Sequence, residues 1–299
     1  MRCYKNKKGF YEIKPRPSIS ELKSYYSSKY FQEGRGSYEV RYDKRELKWI
    51  VQKSKFKLFL ANKFLSSKKN KNLSVLDVGC GEGFCMDAFL KNGWKVEGID
   101  FSNEGLKQKN PHLIRFLEKG DIESEIEKKI KDNKTYDCVL LLNVLEHVLK
   151  PIDLLKNLRK LIKKKGVLLI TVPNDFSKAQ KMAQKLKLIN HSFWVAPPDH
   201  LQYFDNISLA RLAKHCGWRD ISSVAGFPID WFLFNPGSNY IKYKRKGKQA
   251  HTARIILESL IFECDFESVF RFGQALARLG MGRDITAIFR LSGRITDKH

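Results

Sequence analysis

The sequence lacks the devices that staple small or secreted folds. Its six cysteines (Cys3, Cys80, Cys85, Cys138, Cys216 and Cys264) are scattered, with no CxxC pair and no histidine cluster at ligand spacing. Neither a metal site nor a disulfide framework is indicated. Long apolar runs are missing too. The longest, Cys138 to Leu142, is far too short to cross a bilayer, and the basic start MRCYKNKKGFYEIKPRP leads into no apolar signal core. The expectation is a soluble, cytoplasmic chain without membrane insertion. No internal repeat is visible.

Acidic residues are scarce, 32 against 56 lysines and arginines, for a formal net charge of +24. Such a balance marks either a lysine-rich solvated surface or an anionic partner such as nucleic acid or a membrane. The lysines are spread along the chain, as in Lys128-Lys129, Lys163 to Lys165 and Lys242 to Lys248. A solvated surface is the simpler reading, and no stable nucleic acid complex is expected.

What is present is enough for one large α/β core, with 299 residues of which 42% are apolar. Residues 1–70 form an aromatic, basic arm. In it Leu47, Ile50, Val51, Leu58, Ala61 and Leu65 predict an amphipathic helix over roughly 39–66, preceded by a tyrosine-rich loop or lid with glycines at 34 and 36. Residues 71–226 alternate strand-like and helix-like segments. The apolar runs fall at 73–79, 95–100, 112–117, 136–143 and 166–173, with helical stretches near 83–92, 103–109, 122–131 and 150–163. This alternation predicts an α/β fold with a doubly wound, mostly parallel sheet covered on both faces. A helix near 206–216 and a strand near 218–225 follow. Residues 227–299 read as a helical insertion, with helices near 250–264 and 266–279, and a last strand at 285–291 that completes seven. The insertion is a natural place for substrate recognition.

The segment VLDVGCGEGFCMDAFLKNGWKVEGID runs from a strand through glycines at 79, 81 and 83 into a helix and a second strand that ends in Asp100. Glycines at such a turn let the backbone approach a ligand. An acid about 20 residues later, at the next strand end, is placed to accept hydrogen bonds from ribose hydroxyls. A nucleoside-containing cofactor is therefore implied. The dinucleotide pattern GxGxxG is not met, because its third glycine falls at Phe84.

With Asp77 ahead of the first glycine, the stretch resembles motif I of the class I S-adenosylmethionine-dependent methyltransferases. The resemblance covers roughly residues 70–225. It implies a Rossmann-like methyltransferase fold and S-adenosyl-L-methionine as cofactor. Gly79, Gly81 and Gly83 would line its methionine and ribose side, Asp77 would reach its amino group, and Asp100 would bind the ribose. Gly120-Asp121-Ile122 looks like the motif after the third strand, with Asp121 receiving the adenine amino group and the Ile122 N–H meeting the ring. YDCVLLLNVLEHVLKPIDLL is similar to the fourth-strand motif, which adds Asn143 as a cofactor contact, and KKKGVLLITVPN resembles the fifth strand with its preceding turn.

Methyl transfer to an alcohol benefits from a base that takes the hydroxyl proton. Two histidines follow strand ends on the expected acceptor side, His200 in PPDHLQYF and His147 in LEHV, with His200 placed slightly ahead. Tyr203 and Phe204 are expected to shape the acceptor pocket, and Asp205 or Asn206 to cap the next helix. DHLQYFDNISLARLAKHCGW is similar to a segment of methyltransferases acting on small molecules, including quinone precursors and sugars. The tail resembles, more loosely, enzymes of surface-polysaccharide pathways. The implied reaction is O-methylation of a small polar acceptor such as a sugar, sugar-phosphate or nucleotide-sugar. An RNA methyltransferase is the alternative, against which Leu142-Asn143-Val144-Leu145 carries no NPPY- or DPPY-type tetrad. A catalytically inactive cofactor-binding scaffold is the non-enzyme reading.

Overall fold

The structure is a computed structural model that describes residues 2–18, 20–22, 25, 42–65 and 72–293. The loop or lid expected before the first long helix lies outside the described residues, apart from its first and last tyrosines.

Strands β1 (Arg2–Lys5) and β2 (Tyr11–Lys14) form a hairpin, and helix α1 spans Lys44–Phe64. The central unit then runs β3 (Ser74–Val78), α2 (Phe84–Lys91), β4 (Lys95–Asp100), α3 (Glu104–Lys109), β5 (Leu117–Lys119), α4 (Ile122–Lys131), β6 (Tyr136–Leu142), α5 (Pro151–Leu158) and β7 (Ile162–Pro173). After it come α6 (Lys178–Lys185), β8 (Gln202–Tyr203), α7 (Asn206–His215), β9 (Trp218–Ala225), α8 (Gly247–Ile261), α9 (Phe266–Leu279) and β10 (Asp284–Leu291). The seven-stranded sheet has the order β5-β4-β3-β6-β7-β10-β9. Its first five strands are parallel, while β10 is antiparallel to both β7 and β9.

Each face of the sheet carries its own apolar layer. On one, Leu76, Val78, Val139 and Leu141 meet Leu155, Leu158, Leu209 and Leu212 of α5 and α7. On the other, Val75, Val96, Cys138 and Leu140 meet Phe56 and Leu60 of α1, Phe89 of α2 and Phe270 of α9. Near-continuous apolar strands are what a sheet buried on both sides requires. Helices α8 and α9, in the region expected to serve substrate recognition, pack beside α1. Trp49 donates to Glu258 at 2.9 Å, and the rings of Phe56 and Phe266 stand 5.6 Å apart. This leaves 227–246 as the part of the insertion outside that helical layer.

Several boundaries differ from the sequence reading. The stripe of α1 buries Trp49, Phe56 and Leu60 with Leu58 and Ala61, while Leu47 is exposed, because Trp49 is drawn inward by Glu258. Of the stretch 112–117, expected as strand, all but Leu117 belongs to a 3-10 helix, Pro111–Phe116, and the strand begins only at Leu117. Proline at the start of the 3-10 helix fixes φ near the helical value and has no N–H to give a ladder. The helix expected over 150–163 stops at Leu158, and β7 already begins at Ile162, where Lys163 pairs with Asp137 at 2.7 Å. The small sheet β1-β2-β8 was not anticipated, since the partners Tyr11 and Tyr203 lie far apart in sequence.

Candidate functional site

In open α/β sheets ligands gather beyond the carboxyl ends of the parallel strands. After β3 the chain turns through Gly79, Gly81 and Gly83, with φ of 74, 53 and 76°. These are left-handed conformations that a Cβ disfavours. The N–H groups of Gly79 and Cys80 both donate to the Ile99 carbonyl, at 2.8 and 3.1 Å, so the turn is tied to β4. At the end of β4, Asp100 accepts from the N–H of Gly81 at 2.8 Å and from that of Ser102 at 3.1 Å.

Asp77 and Asp100 are both buried, at 3% and 5% exposure. Burial first, and the Asp100 charge second, push the Asp77 carboxyl up to about 7. Burial also raises Asp100, against the backbone N–H groups that stabilise its ionised form. Two buried carboxyl groups beside a glycine cradle suit a ligand that brings positive charge and a sugar.

The remaining predicted cofactor residues occupy neighbouring strand ends. Asp121 follows β5 and caps α4, accepting from the Ser124 N–H at 3.1 Å, and Ile122 begins that helix. Asn143 follows β6, exposed, with φ of 55° and its N–H donating to the Thr171 carbonyl at 2.8 Å. The strand order β5-β4-β3-β6 thus sets Asp121, Asp100, the glycine turn and Asn143 side by side along one edge.

The two histidines come together on the β6 side. Their rings meet edge to face with centroids 4.9 Å apart. Nδ1 of His147 lies 2.6 Å from the Asp199 carbonyl oxygen. A carbonyl only accepts, so Nδ1 carries the proton, and in the neutral ring the lone pair lies on Nε2. Burial lowers the His147 pKa, and Asp199 opposes that shift. His200 is pushed down to about 3 by burial and then by the charges of His147 and Arg283. Its Nδ1 is buried without a hydrogen-bond partner among the described residues.

Sequence reasoning missed the groups around this pair. Glu146, 1% exposed, has one carboxyl oxygen without a hydrogen-bond partner among the described residues, and burial raises it well above the carboxylate range. Glu146, His147 and His200 bring their ligating atoms within 4.8 Å of one another, the one group of three among the described residues that could ligate a metal ion. Asp175, after β7, faces Arg283 at 3.4 Å and is raised to about 7 by burial. Asp230 accepts from Tyr240 at 2.7 Å and from Gln180 at 3.0 Å. The only sequence signal for these was position after a strand end.

Tyr203 and Phe204 do not present themselves as pocket walls. Tyr203 is buried and donates to the His200 carbonyl at 2.9 Å, holding the histidine loop. Phe204 packs into the core 5.1 Å from Phe10. Asp205 is the helix cap, in a reciprocal pairing with Ser208.

Residues 52–223 match the profile of a family described as a methyltransferase domain. The chain is 31% identical over 118 residues to a ubiquinone biosynthesis O-methyltransferase of Pelagibacter ubique (strain HTCC1062), a match over 40% of this chain and 49% of that protein. It is 30% identical over 147 residues to a protein of the same description from Aliivibrio fischeri (strain MJ11), over 45% of this chain and 63% of that one. The matches therefore span less than two thirds of these relatives. A solved SAM dependent methyltransferase from Archaeoglobus fulgidus aligns with 91% of this chain and 100% of its own, at 18% identity and a TM-score of 0.49.

Proposed function

Because the chain belongs to the methyltransferase family whose profile it matches over residues 52–223, and is an S-adenosylmethionine-dependent methyltransferase, we propose that it methylates a hydroxyl of a small molecule. Asp77, the glycines at 79, 81 and 83, Asp100, Asp121, Ile122 and Asn143 would hold the cofactor. Bound there, S-adenosylmethionine supplies an electrophilic methyl group on a sulfonium. The fit rests on the two buried acids, which favour a cationic ligand.

The chain's own contribution is to orient the acceptor and take its proton. We assign that proton to Nε2 of His147, in place of His200. The carrying observation is the Asp199 carbonyl, which fixes the proton on Nδ1 and so places the neutral ring's lone pair on Nε2. A base held at about 3, as His200 is, gives little driving force near neutral pH. His200 packs edge-on against His147 and acts as a positioning residue.

For the acceptor class, sugars and nucleotide-sugars of glycan assembly remain in this reading beside quinone precursors, which the relatives' description as ubiquinone biosynthesis O-methyltransferases favours. The test is transfer of labelled methyl from S-adenosylmethionine to a panel of sugars, nucleotide-sugars and catechols. Label recovered as a methyl ether supports the reading. Label recovered only in transfer or ribosomal RNA would sink it.

A further inference from the structure

Two segments flanking the carboxyl edge contain no acidic residue at all. Residues 176–190 carry four lysines, and residues 231–250 carry five lysines and arginines between 242 and 248. The structure folds them against each other. Asn239 donates to the carbonyls of Leu188 at 2.9 Å and Leu233 at 3.0 Å, and Ala183, Ile189, Trp194 and Leu233 share one apolar cluster. The acids that adjoin the two segments, Asp175 and Asp230, are both buried, Asp175 facing Arg283 and Asp230 facing Gln180 and Tyr240. The segments themselves therefore offer cations with no acid of their own.

That face also exposes large apolar side chains. Met182 and Leu186 stand one turn apart on α6 and its end, and Trp231, Phe234 and Tyr243 project from the 227–246 stretch. Trp231 is 47% exposed and Leu186 55%. Lys242, itself exposed, lies 5.7 Å from the exposed Tyr243 ring, so cation and aromatic stand together at the surface.

We propose that this surface docks on an anionic phospholipid bilayer. Lysines and arginines are drawn to acidic headgroups, while tryptophan, phenylalanine and aliphatic tips enter the headgroup boundary. Complementarity selects this occupant over RNA. Met182 and Leu186 cannot stack on bases, but they gain by leaving water for hydrocarbon. No described helix is long and apolar enough to cross a membrane, so attachment is peripheral. The surface borders Asp175, after β7. An acceptor carried by the bilayer would then reach the site directly, a corollary that rests on the transferase reading, as docking itself does not.

The experiment is sedimentation of the full chain, without cofactor, with vesicles of phosphatidylcholine alone or mixed in equal parts with phosphatidylglycerol. Binding is expected to the mixed vesicles and to weaken as salt is raised. Lys242→Gln with Lys244→Gln should weaken it about fivefold per cation. Trp231→Ser with Phe234→Ser should weaken it about tenfold or more, and both variants should keep the parent melting temperature because these side chains are exposed. Absence of binding to the mixed vesicles, or binding indifferent to both variants, would overturn the proposal. So would transfer RNA that binds more tightly than vesicles and loses that binding in the Trp231→Ser, Phe234→Ser variant.

Discussion

The Nδ1–H of His147 donates to the Asp199 carbonyl at 2.6 Å, joining the segment after β6 to the loop that carries His200. One ring nitrogen is thereby committed, and in the neutral ring the other holds the lone pair. His147→Ala should lower kcat by about 10²–10⁴ while cofactor affinity stays nearly constant, because general-base help is realised in the transition state. His200→Ala should cost less and act partly through KM, as expected of a group that holds another in place. Steady-state kinetics beside calorimetric cofactor binding distinguishes the two. An equal kcat loss in both folded variants would make the histidines one catalytic unit, and full activity in both would leave catalysis to positioning alone.

Cofactor binding should be linked to protons through Asp77. Its carboxyl is raised from an ordinary 3.8 to about 7, so the free protein carries a proton there below neutrality. A cationic ligand favours the carboxylate and expels that proton. Affinity should therefore rise with pH up to about 7 and then level off. Calorimetry in buffers of different ionisation heat measures the release, which Asp77→Asn should abolish. Asp100→Ala should weaken the cofactor by about 1–3 kcal/mol through lost charge-assisted hydrogen bonds.

His200 should make the protein sensitive to acid. In the unfolded chain it titrates near 6.5, in the folded chain at about 3. Between those values the unfolded state binds more protons, so this residue's contribution falls as pH drops through that window. Asp175 and Glu146 are raised and act in the opposite sense. The informative quantity is thus the difference between wild type and His200→Gln in urea unfolding. It should shift in favour of the variant as pH falls from about 7 to about 5. A difference independent of pH would remove this role.

Gly79 tests the turn. A Cβ there would lie 2.4 Å from Cγ2 of Val144, at a φ of +74°. Gly79→Ala should cost about 1–2 kcal/mol from backbone strain and a further 1–3 kcal/mol from the clash. Adding Val144→Ala should recover the second part and leave the first, so the two changes should be non-additive in a double-mutant cycle. Strict additivity would show that the contact is not shared.

The parallel sheet and the glycine turn with its acid were legible because their signals are local. A strand, three spaced glycines and an acid at the next strand end lie within Val75 to Asp100. The stretch Pro111–Phe116 misled because its apolar residues suit a strand, whereas proline at the start decides the backbone. The histidine surroundings were illegible for another reason. Asp199, Asp175 and Arg283 acquire their roles only when separate strand ends converge, and Glu146 gains its raised pKa from burial that no spacing encodes. The proposed choice of His147 over His200 as base has the same origin.

The hairpin of residues 2–14 has a further consequence for how the chain assembles. Tyr11 of β2 pairs with Tyr203 of β8, so one edge of the hairpin waits for almost two hundred residues of chain before its partner exists. Closing so long a loop is slow relative to forming the parallel core. The histidine loop, held by Tyr203 through the His200 carbonyl, should be among the last parts to set. A chain caught before that event would own a finished glycine turn and an unfinished histidine loop.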